Sequence, residues 1–310
     1  MMKIKEILKQ ANRQLQKYSP TAPLDAEILL SSVLKKNREF LFSNPDYQPS
    51  SQKIKTFKAL IQKRIEQEPI AYLIKEKDFY GRTFDVDCST LIPRPETELL
   101  VEKTLEYCHK EFYPSQNIAL IDIGTGSGCI LVSLLKELQK KRFRESKIKA
   151  FGIDISAKAL RIAKKNSERI ELLTKINFLK GSLLEPIFGK NFSVSNFSNC
   201  FPANTQLVIT ANLPYLSADI YENCPKSVLD FEPKKALIAK KDGLEFYLKL
   251  LNQIKRLKLP DLVQNLYLIF EISPEQKNLA EEDFKKIFPN LKVKFSKDLA
   301  QKWRFIEIFF

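Results

Sequence analysis

Histidine is nearly absent from this chain: His109 is the only one in 310 residues. It falls in Tyr107-Cys108-His109-Lys110, at the end of an expected helix, where a solvated surface residue is the simpler reading. Ser-His-Asp chemistry therefore has little to rest on. Cysteines placed for pairing are missing too. The five present, Cys88, Cys108, Cys129, Cys200 and Cys224, are odd in number, scattered and never spaced Cys-x-x-Cys. That argues against a disulfide framework and a zinc site, and for a reducing compartment. No stretch is apolar enough to span a bilayer, and Met1-Met2-Lys3-Ile4-Lys5-Glu6 lacks the apolar run of a signal peptide. A cytoplasmic protein without membrane association or bound metal is expected.

Positive charge, by contrast, is abundant. Fifty-one Lys plus Arg against thirty-seven Asp plus Glu give a net charge of +14 and a pI near 9.4. This favours polyanionic surroundings such as a nucleic acid or a ribosome-associated partner. Lys pairs such as Lys35-Lys36, Lys164-Lys165, Lys234-Lys235 and Lys285-Lys286 fit solvated helix faces equally well. Charge alone names no partner. The length allows one sizeable core and a smaller second one, hence two domains.

Residues 1–76 carry apolar residues at helical spacing and no strand signal. Ile4, Ile7, Leu8, Ala11 and Leu15 make one stripe. Ala26, Leu29, Leu30, Val33 and Leu34 make a second, entered through Asp25. Ile54, Phe57, Leu60, Ile61 and Ile65 make a third, after the loop Asn44-Pro45-Asp46-Tyr47-Gln48-Pro49-Ser50. A small helical bundle is predicted, serving either to dock a partner or to cap the second domain. Residues 77–95 then change character. Phe79-Tyr80-Gly81-Arg82-Thr83-Phe84-Asp85-Val86-Asp87 reads as a β-hairpin linking the domains. Two prolines bracket Arg94 in Ile92-Pro93-Arg94-Pro95-Glu96-Thr97-Glu98, before a helix from about 97 to 110.

In residues 96–310, Ile118-Ala119-Leu120-Ile121-Asp122-Ile123 is a buried strand running into Gly124-Thr125-Gly126-Ser127-Gly128, with a helix following. Strand, glycine loop and helix are the first half of a nucleotide-binding βαβ unit, in which a ligand approaches backbone N–H groups at a helix start. The next strand, Ala150-Phe151-Gly152-Ile153, ends in Asp154, an acid placed to accept hydrogen bonds from both hydroxyls of a ribose. The glycines fall as G-x-G-x-G rather than the G-x-G-x-x-G of dinucleotide enzymes. A strand at 176–179 ends in Gly181-Ser182-Leu183. No acid stands at 182 or 183. Residues 189–204 read as an inserted surface loop.

The apolar strand Gln206-Leu207-Val208-Ile209-Thr210-Ala211 delivers Asn212-Leu213-Pro214-Tyr215 to a strand's carboxyl end. An Asn amide oxygen, backbone carbonyls that cannot continue a ladder past a proline, and an aromatic ring suit a planar NH2 group, whose hydrogens need acceptors and whose π-face stacks. A plain strand end with a proline turn is the alternative. Loop, Asp154 and Asn212-Leu213-Pro214-Tyr215 together resemble a class I S-adenosylmethionine-dependent methyltransferase. That implies an α/β, Rossmann-like seven-stranded sheet behind the helical bundle and hairpin, with its last hairpin antiparallel. Further strands are expected at 266–272, 291–295 and 304–309, and helices at 245–257 and 275–288.

The resemblance narrows further. Asp25-Ala26-Glu27-Ile28-Leu29-Leu30, Glu68-Pro69-Ile70-Ala71-Tyr72-Leu73, Leu91-Ile92-Pro93-Arg94-Pro95-Glu96-Thr97-Glu98, Phe231-Glu232-Pro233 and Asp242-Gly243-Leu244 are similar to the protein-(glutamine-N5) methyltransferases of class 1 peptide chain release factors, the PrmC/HemK group. That family usually carries Asn-Pro-Pro-Tyr where this chain has Asn212-Leu213-Pro214-Tyr215. Asn-Leu-Pro-Tyr resembles instead the motif of rRNA adenine dimethyltransferases. A nucleic-acid adenine N6-methyltransferase is thus the alternative activity, and a non-catalytic donor-binding scaffold a third reading.

The resemblance implies S-adenosylmethionine as donor, S-adenosylhomocysteine as product, and the glutamine of a Gly-Gly-Gln tripeptide as acceptor. It implies a donor site of Gly124, Thr125, Gly126, Ser127, Gly128, Asp154, Leu183 and Asn212, and an acceptor site of Asn212, Leu213, Pro214 and Tyr215. Arg94 and Glu96 either shape the substrate channel or form a structural junction. A monomer with no stable nucleic-acid binding is expected.

Overall fold

The computed structural model describes residues 2–113, 115–140, 147–172, 175–189, 201–202 and 204–310. Most of the insertion expected at 189–204 lies outside them. The chain divides into two compact units, one of residues 1–76 with 224–232, the other of 77–223 with 233–310.

The first unit holds five helices from the amino-terminal part: α1 (Ile4–Leu15), α2 (Ala22–Leu34), α3 (Arg38–Ser43), α4 (Ser51–Ile65) and α5 (Ile70–Ile74). Its core is built from the three stripes: Ile4, Ile7, Ala11 and Leu15 meet Ala26, Leu29, Leu30, Phe57 and Ile61. Each fully buried Leu or Ile contributes about 1.5–3 kcal/mol of burial. The six-residue α3, capped by the Asn37 side chain on Phe40 N, buries only Leu41 and is too short to show a period. One expectation is corrected. Helix α2 starts at Ala22 behind Thr21, and Asp25 lies inside its first turn, 4% exposed. There it accepts from Ser19 Oγ (2.7 Å), Thr21 Oγ1 (3.0 Å) and Arg64 Nε (2.7 Å). A carboxylate with three donors is held as a buried ion pair rather than as a helix cap.

In the second unit a hairpin, β1 (Glu76–Phe79) and β2 (Arg82–Asp85), turns at Tyr80-Gly81, both at positive φ. Helix α6 (Glu98–Glu111) follows a short 3-10 turn, Pro95–Thr97. The sheet is made of β3 (Ile118–Ile123), β4 (Ile148–Asp154), β5 (Ile176–Lys180), β6 (Gln206–Ala211), β7 (Asn265–Glu271), β8 (Lys292–Lys297) and β9 (Trp303–Phe309). Between its strands run α7 (Cys129–Lys140), α8 (Ala157–Arg169), α9 (Glu185–Phe188), α10 (Ala218–Glu222), α11 (Lys226–Leu229, in the first unit), α12 (Glu245–Leu257), α13 (Leu259–Leu262) and α14 (Lys277–Ile287). The strand order is β5-β4-β3-β6-β7-β9-β8, parallel except for β9, which is antiparallel to both neighbours.

β3 and β6 are buried at every position, as strands covered on both faces must be. One face packs Leu100, Val101 and Leu105 of α6 and Leu131, Leu134 and Leu135 of α7; the other packs Tyr247, Leu250 and Ile254 of α12 and Phe284 of α14. The chain moves outward from β3 through β4 to β5, then returns to lay β6 on the other side of β3. The carboxyl ends of β3 and β6 are therefore a switch point, where open α/β sheets place ligands. Register sharpens this. Ile123 pairs with Ile153 and with Ala211, and Ala211 pairs with Phe270. One step beyond, Asp154, Gly124, Asn212 and Glu271 stand in a row across four neighbouring strand ends.

Candidate active site

The glycine loop is held by its own neighbourhood. Gly124 N and Thr125 N both donate to Ile153 O (2.8 and 3.0 Å), Gly128 N donates to Thr125 O (2.7 Å), and Gly126 N donates to the Asp154 carboxylate (3.0 Å). Two positions require glycine for stated reasons. At Gly124, φ +72°, a Cβ would stand 3.0 Å from Leu213 Cδ2; at Gly128, φ +80°, it would stand 3.1 Å from Ala163 Cβ on α8. Buried Asn166 of α8 ties the loop to the hairpin, donating to Ser127 O (2.8 Å) and Asp85 O (3.0 Å).

The Asn212–Tyr215 segment is held instead by side chains remote in sequence. Asn212 Nδ2 donates to Thr97 Oγ1 (3.3 Å), and Thr97 Oγ1 donates to Glu271 Oε2 (2.7 Å). Leu213 N donates to the Tyr247 hydroxyl (3.1 Å), which in turn donates to the Glu271 main-chain carbonyl. Tyr215 OH donates to Glu271 Oε1 (3.3 Å), while Tyr215 O accepts from Gln276 Nε2 (2.8 Å). Gln276 also binds Asp242 O (2.7 Å), and a Cβ at Gly243 would collide with both the Tyr215 carbonyl and Gln276 Nε2. The Asp242-Gly243-Leu244 motif thus closes tightly over the segment's end. Asn212 Oδ1 and Leu213 O accept no hydrogen bond among the described residues, and both residues line a cavity.

That cavity, about 810 Å³, lies within the second unit. It is lined by Gly124, Thr125, Gly126 and Ser127, by Asp154 and Leu183, by Asn212, Leu213 and Pro214, and by Arg94. The strand ends thus bring together ten of the thirteen residues expected at the site. Gly128 packs beneath against α8. Tyr215 is turned by its hydroxyl toward Glu271 and is not among the lining residues. Glu96 is exposed and outside the lining, whereas its neighbour Thr97 is buried and inside it. Leu183 is 5% exposed at φ +51°, a left-handed backbone that a leucine adopts only under constraint.

Burial sets the electrostatics. It raises the Asp154 carboxyl above its ordinary range, against the backbone N–H groups of Ser156 and Gly126 that favour the anion. Beneath the loop, burial pushes Asp122 up to about 6, against the Thr125 and Thr210 hydroxyls. Glu271 is likewise raised by burial, opposed by the Thr97 hydroxyl and by Arg304. Burial and the Glu271 charge hold the Tyr215 phenol well above its ordinary value, so it is a neutral hydrogen-bond donor rather than a base. Burial pushes the Cys129 thiol up to about 12, which makes it unreactive. Lys158, Arg161, Lys234 and Lys235 also line the cavity, against Asp87 and Asp154 as its carboxylates. Among the described residues no cluster of His, Cys, Asp or Glu is placed to hold a metal ion, and no helix is long and apolar enough to cross a membrane.

Sequence reading missed Thr97, Tyr247, Glu271, Gln276 and Asn166 as parts of the site. Glu271 carried a signal, since an acid ending an apolar strand is the pattern that singled out Asp154. The other four do not stand out from neighbouring polar residues, and only their packing partners give them a role.

Comparison with known proteins agrees with this architecture. A model of the PrmC N-terminal domain matches residues 6–74, and one of a methyltransferase domain matches residues 114–219. The release factor glutamine methyltransferase of Rhodopirellula baltica is 34% identical over 276 residues, 86% of this chain and 84% of that protein. That of Buchnera aphidicola is 35% identical over 285 residues (92% and 91%), and that of Bacillus cereus 30% over 306 residues (98% of each). Among solved structures, the hMettl16 catalytic domain in complex with MAT2A 3'UTR hairpin 6 superposes with a TM-score of 0.52 at 15% identity, covering 84% of this chain and 82% of that one. This last likeness concerns the fold alone. The relatives extend over nearly the whole sequence, through both the helical unit and the site: the chain belongs to the family of release factor glutamine methyltransferases.

Proposed function

We propose that this chain transfers a methyl group from S-adenosylmethionine to the side-chain amide nitrogen (N5) of the glutamine in the Gly-Gly-Gln motif of class 1 peptide chain release factors, tuning translation termination in the cytoplasm. The observation that carries this reading is that Asn212 and Leu213, whose Oδ1 and main-chain O accept no hydrogen bond among the described residues, line the same cavity as the glycine loop. The residues fit the donor. Gly126, which meets no atom but Gly124 O within 4 Å of a Cβ position, leaves open backbone for its amino-acid end. Asp154 holds its ribose, and Ile155 and Leu183 give its base an apolar wall. When bound, S-adenosylmethionine supplies a methyl already activated on a sulfonium.

The chain's own work is positioning. An amide nitrogen is a poor nucleophile because its lone pair is delocalised into the carbonyl. Two acceptors for its two hydrogens fix the plane of the amide and aim the nitrogen at the methyl, and such alignment is worth about 7 kcal/mol or more in well-oriented systems. Tyr215, fastened to Glu271 and Gln276, backs this segment from behind. Arg94 and the lysines of the rim guide the substrate segment into the cavity.

The test is transfer of labelled methyl to a purified class 1 release factor, beside its Gly-Gly-Gln→Gly-Gly-Ala variant and beside naked rRNA and DNA. Label on the unaltered protein only is the expected outcome. Label on nucleic acid would overturn the reading and make Leu213 the informative residue.

A further inference from the structure

The Asn212 amide can stand in its socket two ways round, with Oδ1 or with Nδ2 toward the cavity, and the two are nearly identical in shape. Only one of them accepts a hydrogen from a substrate NH2 group. What selects between them lies one strand away. Glu271 ends β7 beside Asn212, 1% exposed, and accepts the Thr97 hydroxyl on Oε2 (2.7 Å) and the Tyr215 hydroxyl on Oε1 (3.3 Å). Burial raises its carboxyl, opposed by the Thr97 hydroxyl and by Arg304 on β9, whose own partner is Asp298 (3.1 Å). Both Glu271 oxygens thus serve as acceptors, and a threonine hydroxyl has a single hydrogen. Once that hydrogen goes to Glu271, Thr97 Oγ1 has only lone pairs left for Asn212. The side of the Asn212 amide facing Thr97 must then be Nδ2, as observed at 3.3 Å, which leaves Oδ1 on the other side of an amide whose residue lines the cavity.

We propose that Glu271 is a positioning residue which, through Thr97, fixes the sense of the Asn212 amide so that its oxygen faces the substrate. This rests on the reading that Asn212 accepts a hydrogen from the glutamine NH2. Neither Glu271 nor Thr97 touches the reacting atoms in this scheme. Replacing Glu271 by glutamine keeps the shape and gives one end a donor, so the hydroxyls of Thr97 and Tyr215 are no longer both committed. Valine at Thr97 removes the acceptor for Nδ2 altogether, while serine restores it.

The experiment uses the full chain with labelled S-adenosylmethionine and a class 1 release factor, comparing Thr97→Val, Thr97→Ser, Glu271→Gln and, as reference, Asn212→Ala. The readouts are kcat, KM for the release factor, donor affinity and the unfolding midpoint. Thr97→Val lowers kcat on the order of 100-fold and Glu271→Gln about tenfold, with donor affinity unchanged. Thr97→Ser stays within about twofold of the native protein. Native-like kcat in both Thr97→Val and Glu271→Gln, with Asn212→Ala inactive, would overturn the positioning role. So would losses that merely track donor affinity or the unfolding midpoint. An unlabelled glutamine in the native assay, or an active Asn212→Ala, would instead overturn the reading beneath it and remove this role as well.

Discussion

The two loops that meet at the switch point are built by opposite means. The Gly124–Gly128 loop is folded by backbone hydrogen bonds to itself and to the adjoining end of β4, with glycines where a side chain would strike Leu213 or Ala163. The Asn212–Tyr215 segment has no such local ladder. It is clamped by Thr97, Tyr247, Glu271 and Gln276, and the Asn212–Thr97 bond alone spans 115 positions. A loop that holds a ligand by its backbone needs a shape, and shape can be written locally. A segment that must present one oxygen in one direction needs its hydrogen bonds assigned, and that requires partners from elsewhere in the fold. Substitutions remote in sequence should therefore disturb the acceptor side far more than the donor side.

The largest expected effect separates the two sides directly. Asn212→Ala should reduce methyl transfer by about 1,000-fold or more while leaving donor affinity near native, since preorganised polar groups of this kind carry large shares of a rate. Calorimetric donor binding beside kinetics checks it, and near-normal turnover would remove Asn212 from the mechanism.

Next comes the floor of the donor side, where Asp122 on β3 meets Thr210 on β6 at 2.8 Å. Its folded pKa, about 6, lies above the ordinary 3.8, so the stability it contributes is present in full below the ordinary value and is lost as pH rises through about 6. Two units correspond to a loss on the order of 3 kcal/mol at neutral pH. Asp122→Asn should therefore gain on the native protein between about pH 4.5 and 7.5. Denaturant unfolding at both pH values decides, and a pH-independent difference would mean the carboxyl is not so raised.

Gly128→Ala sharpens the comparison from the glycine side. The positive φ and the 3.1 Å approach to Ala163 should cost about 1–2 kcal/mol of stability and weaken donor binding about tenfold, with KM for the acceptor protein little changed. A selective rise in that KM would contradict the division of labour. The smallest effect is expected of Leu213→Pro, which would give the more usual motif of the family. Here it removes the N–H that binds Tyr247, at a cost of about 1 kcal/mol, and should leave kcat within about tenfold. An inactive variant would show that the segment is built around leucine.

Much of this was legible in advance. The stripes from Ile4 to Ile65 foretold the first unit's core, and the apolar runs at 118–123 and 206–211 foretold the central strands, because helical and strand periods are local properties of a chain. Asp25 was readable as a residue but not as a role: its ion pair with Arg64 joins α2 to α4 across a span no periodicity reports. The helix 38–43 was too short to announce itself. At the site, Gly124, Asp154 and Asn212 stood out because glycine, acid and Asn-x-Pro-Tyr each carry chemistry at a strand end. Thr97 was hidden beside the more conspicuous Glu96, and Gln276 resembled any polar residue starting a helix.

The sequence by itself determined the order of elements, the class of sheet and the residue types at its carboxyl edge, since these follow from hydrophobic period, turn chemistry and motif. Only the tertiary structure decided that Asp154, Gly124, Asn212 and Glu271 form one row, and that the Asn212 amide nitrogen is bound by Thr97. The physical reason is that strand register and hydrogen-bond polarity are pairings between distant residues, and a pairing exists only once the chain has brought both partners together.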